Sequence, residues 1–309
     1  MEEHEKGPAT THKQWQAEPI EARELDLPAG WRYKSLKLGP ITLPWYASPE
    51  SQLILVSFVC FLCPGKVPQN SLSLSRQLTV KGMFNAVNGL GGAGYNNAHA
   101  STAANSALYA TFAVVGFFAG SVTNALGIRF ALSFGGLGYS VCIGSYLCYN
   151  HTENFGYVVF SGVLLGWCAG ILWSAQGAIM MSYPPEKLKG RYISVFWIIF
   201  NLGGVIGSVV ELGLNVHANH RDAVGDGTYI SILILTFLGA CLSWTLVDAK
   251  HVVRRDGSRI ILMKHPTWKT EILGLWETIQ SDPYVILFFP MFFASNWFYT
   301  YQFNDVNLA

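Results

Sequence analysis

From about Leu53 onward, apolar runs alternate with short polar punctuation at near-regular spacing: residues 53–64, 103–126, 130–149, 157–181, 192–214, 229–247 and 284–301. About 30 Å of hydrocarbon takes roughly 20 residues at the helical rise of 1.5 Å, and every run but the first is close to that length. The pattern predicts an all-α membrane fold: six helices, a long polar segment, then a seventh helix. Residues 1–45 are polar and rich in Glu and Lys, without the apolar core of a cleavable signal peptide, and read as a cytosolic tail.

Helix-start signals refine this picture. Ser48-Pro49-Glu50 and Ser281-Asp282-Pro283 each combine a capping side chain with a proline in the first turn, so the first and seventh helices begin alike. Between the sixth and seventh runs, Trp268, Ile272, Leu275, Trp276 and Ile279 recur at helical spacing behind Pro266, which predicts an amphipathic helix lying on the membrane surface. The resulting division is a tail (1–45), a six-helix bundle (46–247), a loop with the amphipathic helix (248–282) and the first helix of a second bundle (283–309).

Composition agrees with the membrane class. Apolar residues are 51% of the chain, charged ones only 13%, and mean hydropathy is +0.30. A net charge of +1 points away from nucleic acid as a partner. All six cysteines fall inside or beside apolar runs, so disulfides do not organise the fold; Cys60 and Cys63 have C-x-x-C spacing but no polar neighbours that would make thiolates. Basic residues collect in alternate connections: Arg129; Lys187, Lys189 and Arg191; and Lys250, Arg254, Arg255, Arg259, Lys264 and Lys269. The positive-inside rule makes these cytosolic, with the N-terminus, in a multi-pass chain. Asn150-His151-Thr152, a glycosylation acceptor sequence, then falls on the opposite side.

The first run is anomalous. Residues 53–63 cover only about 17 Å at helical rise, and Lys66, Arg76 and Lys81 follow in a Ser/Gln-rich stretch that cannot continue a span. Without residues 66–82, Cys63-Pro64-Gly65 joins Met83-Phe84-Asn85 and the helix reaches full length near Gly92. Gly65-Lys66, Leu78-Thr79 and Lys81-Gly82 can encode a splice donor, branch point and acceptor, so the segment reads as a translated intron; the alternative is a genuine loop that splits two half-helices. Six helices plus one read as half of a larger plan, so the end at Ala309 is expected to be a truncation.

Several motifs fail as chemistry. Gly89-Leu90-Gly91-Gly92-Ala93-Gly94 satisfies G-x-G-x-x-G but lacks the strand–turn–helix context that binds dinucleotides. Glycines at three- and four-residue spacing, here and at Gly116/Gly120 and Gly203/Gly204/Gly207, are expected to let helix backbones approach. His217, His220 and Asp222 sit in a polar loop without a scaffold, so no metal is expected, and no cofactor. No predicted face gathers Ser, His and Asp, so no catalysis is expected.

Gly120-Ser-Val-Thr-Asn124-Ala-Leu-Gly127-Ile-Arg129 resembles the cytosolic motif of the major facilitator superfamily, G-x-x-x-D-x-x-G-x-R, with Asn124 in place of aspartate. In that family the motif staples neighbouring helices and steadies one state of the alternating-access cycle; Asn124 can hydrogen-bond but brings no charge. Within the superfamily, residues 63–65, 83–92 and 296–307 are similar to the fungal uncoordinated-93-like branch. Phe84-Asn85-Ala86-Val87-Asn88 and Phe303-Asn304-Asp305-Val306-Asn307 share F-N-x-V-N on the first and seventh helices, which the resemblance makes symmetry mates around one cavity. Asn85, Asn88, Asn304 and Asn307 are the candidates to line it, with Asp305 the one charge and Asn201 of the fifth helix a further lining residue; the alternative for each is interhelix packing. Glu211 is expected at the far interface, and Gln176 to be structural. Two function classes follow: a secondary transporter of a small solute, or a non-transporting regulator or trafficking partner of another membrane protein, which the uncoordinated-93-like resemblance implies.

Overall fold

A computed structural model of the chain describes residues 28, 30–38, 41–63, 98–215, 226–258, 260 and 268–294. A short antiparallel hairpin, β1 (Leu36–Leu38) and β2 (Ile41–Leu43), leads into α1 (Pro49–Leu62). The bundle continues with α2 (Ala98–Gly116), α3 (Ala119–Leu126), α4 (Ile128–Thr152), α5 (Phe155–Ser182), α6 (Lys189–Asn215) and α7 (Asp226–Leu242). Then come α8 (Trp268–Ser281) and two short pieces, α9 (Tyr284–Leu287) and α10 (Phe289–Ala294). Three of these helices are individually long and apolar enough to cross a membrane, and α2 with α3 makes a fourth when the bent pair is taken as one span.

Side-chain caps open three of the helical runs. Ser48 accepts the Ser51 N–H at 3.1 Å with Pro49 at the first helical position. Asn154 accepts the Tyr157 N–H at 3.1 Å, so the α4–α5 connection is only two residues long. Asp282, rather than Ser281, accepts the Tyr284 N–H at 3.1 Å before the seventh run.

Two expected helices are interrupted. The second span bends by 73° between α2 and α3. Gly116 ends α2, the Phe118 N–H turns back onto the Val115 carbonyl, and the chain restarts at Ala119. The seventh run is split at Phe288 into α9 and α10. Pro290 has no N–H to continue an upstream ladder and is tolerated only in the first turn of a new helix, which is where it stands.

The core lies around α5, which packs most extensively on α2 and α4, while α7 covers α4 and α1 sits between α6 and α7. Small residues set the closest approach. A Cβ on Gly162 would stand 2.5 Å from the Ala104 carbonyl oxygen, and one on Gly166 2.6 Å from that of Leu108. These glycines, four residues apart on α5, let α2 lie against its backbone, the packing that membrane helices use where lipid removes the hydrophobic drive. Gly203 does the same for α6 against Phe61 of α1, as the sequence predicted. Gly116 meets open space instead, so its part is at the bend, and residues 89–94 lie outside the described residues.

Buried polar side chains fasten helices pairwise. Ser145 and Ser161 are 2.6 Å apart, Ser140 donates to Thr236 at 3.1 Å, and Trp244 donates to Ser133 at 2.9 Å. The Ser145, Ser161 and Thr236 hydroxyls also reach carbonyls three residues back in their own helices, so these links add contacts between helices for groups already satisfied locally.

Candidate functional site

At Gly127 two helices share one turn. Its φ of 82° lies in the region that L side chains avoid, and no atom crowds the position, so backbone conformation alone demands glycine there. Its N–H closes α3 by donating to the Thr123 carbonyl at 2.8 Å, and its carbonyl opens α4 by accepting from Ala131 at 3.0 Å. Gly120 and Asn124 stand on α3, Asn124 half-buried, and Arg129 is in the first turn of α4.

Arg129 finds its counter-ion beyond the sixth span. Its Nε lies 3.5 Å from Oδ1 of Asp248, which starts a 3-10 turn at Ala249–His251. The alignment falls short of a hydrogen bond, and the buried Nε has no acceptor. Tyr183, at the end of α5, is buried against the same pair; burial first, then the Asp248 carboxylate, holds its phenol above the ordinary range, with Arg129 opposing.

The segment after α7 is fixed to this end of the bundle at several points. Arg254 donates through Nε to the Tyr183 carbonyl at 3.0 Å and through a terminal nitrogen to that of Ser182 at 2.6 Å. A guanidinium fork thereby satisfies the carbonyl end of α5, where cations are favoured. Arg255 pairs at 2.9 Å with Glu50, whose carboxylate sits in the first turn of α1. Gln52, fully buried, donates to the Tyr46 carbonyl and accepts from the Val247 N–H, both at 2.7 Å. Tyr33 donates to the His251 carbonyl, Tyr46 to that of Thr245, and the Val253 N–H to that of Ala47. Segment 31–48 and segment 245–260 thus form one collar.

At the opposite end, His151 Nε2 lies 3.0 Å from Asp226 Oδ2, joining the last turn of α4 to the first turn of α7. Asn150 is in that same last turn of α4.

Of the cavity candidates, only Asn201 is described. Its Nδ2 donates at 2.7 Å to the Trp197 carbonyl one turn back on α6, so one of its two N–H donors is occupied within its own helix. Asn85, Asn88, Asn304, Asp305 and Asn307 lie outside the described residues, as do segment 66–82 and His217, His220 and Asp222, while of Glu211 only the backbone is described. A cavity of about 250 Å³ at the α2–α3 bend is walled by Ala113, Val114, Phe117 and Phe118 and offers no polar group to orient a solute. The collar was not foreseen from sequence. Its one legible signal is Gln52, the lone amide at the head of the apolar run of α1.

The model of the Major Facilitator Superfamily matches residues 77–305. A UNC93-like protein of Schizosaccharomyces pombe is 48% identical over 91% of this chain and 52% of its own length. UNC93-like protein 1 of Arabidopsis thaliana is 40% identical over 85% of the chain and 53% of its own length. A protein of the same plant provisionally named glycerol-3-phosphate transporter 3 is 28% identical over half the chain and 30% of its own length. The chain therefore spans about half the length of the UNC93-like relatives it matches. No solved structure matches it with significance. The family match over most of the chain, the motif turn at Gly127 and the apolar helices lead to one conclusion: this is an integral membrane protein that belongs to the major facilitator superfamily and is similar, within it, to the UNC93-like proteins.

Proposed function

We propose that the chain supplies the first six-helix unit, and the start of a second, of a facilitator-type secondary transporter for a small solute, with its N-terminus in the cytosol. The observation that carries this reading is the motif turn: Gly127 closes one helix and opens the next in a conformation reserved for glycine, and Arg129 beside it is ion-paired. Such a turn gives two spans a fixed inner junction, as rocking of one unit against another requires. Asn85, Asn88, Asn304 and Asn307 line the solute site in this proposal, with Asn201 and Asp305 beside them. The test expresses a full-length protein in cells and surveys accumulated metabolites by mass spectrometry. Asn85→Ala and Asn304→Ala are each expected to abolish the uptake seen with the parent at unchanged surface level. Uptake that persists in both variants refutes the site, and loss accompanied by misfolding leaves these amides as packing groups.

A second reading has its own support. Among the described residues the fully buried polar ones are Ser, Thr, Asn and Gln, and the one carboxylate with a buried oxygen, Glu50, is ion-paired to Arg255. This favours uncoupled movement of solute, or a non-transporting role in which the fold binds another membrane protein and controls its activity or trafficking. Affinity purification that recovers no membrane protein above background counts against the partner role.

A further inference from the structure

The facilitator motif of this chain lacks its carboxylate, yet its arginine is not left without one. We infer that Asp248, at the end of the sixth span, replaces the missing carboxylate at position 124 as the counter-ion of Arg129, and so acts as the positioning residue that locks the motif turn to the rest of the bundle. The inference rests on reading residues 120–129 as the facilitator motif.

Three observations converge. Asp248 Oδ1 is 3.5 Å from Arg129 Nε, and the Arg129 guanidinium has no other ion-pair partner among the described residues. The backbone that carries Asp248 is fixed: the Val247 N–H is held by Gln52 of α1, the Asp248 carbonyl accepts the His251 N–H at 2.8 Å, and Arg254 anchors the following residues to the end of α5. A carboxylate on so constrained a backbone is held in place for Arg129 rather than meeting it by chance. Third, the buried Arg129 Nε has no hydrogen-bond acceptor, so the site can take a closer carboxylate than Asp248 supplies. Asn124, half-buried on α3 just before the Gly127 turn, is the position from which the family motif would supply it.

The consequence is a change in what the motif joins. A carboxylate at 124 would stand on the second span, beside the turn that carries Arg129 into the third. Asp248 instead ties the start of the third span to the end of the sixth, and through Arg254 to the end of the fourth helical span, α5. Tyr183, whose carbonyl accepts from Arg254, is itself buried at this end of α5.

The test uses the full chain purified in detergent and measures its melting midpoint at low and high ionic strength, a readout that does not depend on transport. Asp248→Asn is expected to lower the midpoint by a few degrees at low salt, with the difference shrinking at high salt as screening removes the pair. Asn124→Asp in the Asp248→Asn background is expected to restore most of the loss, because the carboxylate returns at the motif position. The exchange Arg129→Asp with Asp248→Arg is expected to restore part of it. An Asp248→Asn protein that melts like the parent at low salt overturns the inference, as does a loss that neither second substitution relieves. Should Asp248→Asn fail to fold, the exchanged pair decides: parent-like folding upholds the lock, and failure equal to the single variant overturns it. A protein that shows the rescue yet moves no solute leaves the lock standing and removes only the transport proposal.

Discussion

Gly166 gives the sharpest test of how the bundle is held together. Replacing it with alanine adds one Cβ on the face of α5 that touches α2. That atom would lie 2.6 Å from the Leu108 carbonyl oxygen, 2.8 Å from the Thr111 Cβ and 3.0 Å from the Phe112 backbone nitrogen, where ordinary contact begins at 3.4 Å. Two of the three are backbone atoms of α2 and cannot turn aside as a flexible side chain would, so the helices must part by several tenths of an ångström. Separation on that scale loosens van der Waals contacts along the whole interface, and overpacking of this kind costs about 1–3 kcal/mol. The matched control is Gly177→Ala on the same helix, whose Cβ would meet nothing within 4 Å. Relief of glycine's backbone entropy there should be neutral or stabilising, by up to about 1 kcal/mol. The assay is thermal unfolding of both variants in one detergent, followed by fluorescence-detected size exclusion. A clear fall for Gly166→Ala beside an unchanged or raised midpoint for Gly177→Ala is the expected result. Equal midpoints for the two variants refute the reasoning, because they would mean that α2 does not rest on the α5 backbone.

Two further outcomes follow from the collar. Gln52→Leu keeps the volume of a buried side chain but leaves the Val247 N–H and the Tyr46 carbonyl without their partner, at about 1–3 kcal/mol for each group stranded; the Asp248→Asn and Gln52→Leu midpoints should fall less than additively together, since both free the same segment. Asp256 is held below the ordinary carboxylate range, first by its hydrogen bond from the Ser258 hydroxyl, and burial opposes this only in part. A depressed carboxylate adds stability that is present above its unfolded value and is lost as pH falls through its folded value. The parent should therefore lose a small increment of stability below about pH 4 that Asp256→Asn never had, read as the difference between their midpoint-against-pH curves.

How much of this was legible beforehand depends on the range of the interaction. Runs 130–149 and 157–181 became α4 and α5 with one to three more residues at each end, because apolar length and local caps such as Asn154 act within a few residues. The break at Gly116 was missed because hydropathy continues across it: Phe117 and Phe118 are as apolar as the helix they interrupt. The Gly162–Gly166–Gly170 stripe was present in the sequence at four-residue spacing, but spacing alone does not say which neighbour it meets. At the candidate site, Gly127 and Arg129 were found through their motif, whereas Asp248, Arg254 and Gln52 were not, since each acts on a residue far away in the chain. The asparagines of the F-N-x-V-N pair remain a sequence-based proposal, as they lie outside the described residues.

The basic residues connect these two scales. In the sequence, Arg129, Arg254 and Arg255 served only as markers of sidedness, a statistical bias of connections. In the structure each has a partner at the same end of the bundle: a carboxylate after α7, the last carbonyls of α5 and the first-turn carboxylate of α1. Helix geometry makes this more than coincidence. Every helix running toward that end delivers unsatisfied carbonyls to it, and every helix leaving it favours an acidic residue in its first turn. Cations gathered at that end therefore meet the groups best able to hold them. The exposed members of such pairs contribute little singly, and Arg255, well exposed, is the weakest case. Arg254 is different, because its fork closes a helix end with two hydrogen bonds and fixes the backbone that carries Asp248. The basic residues that mark alternate connections in the sequence are thus also the material from which this end of the bundle is fastened.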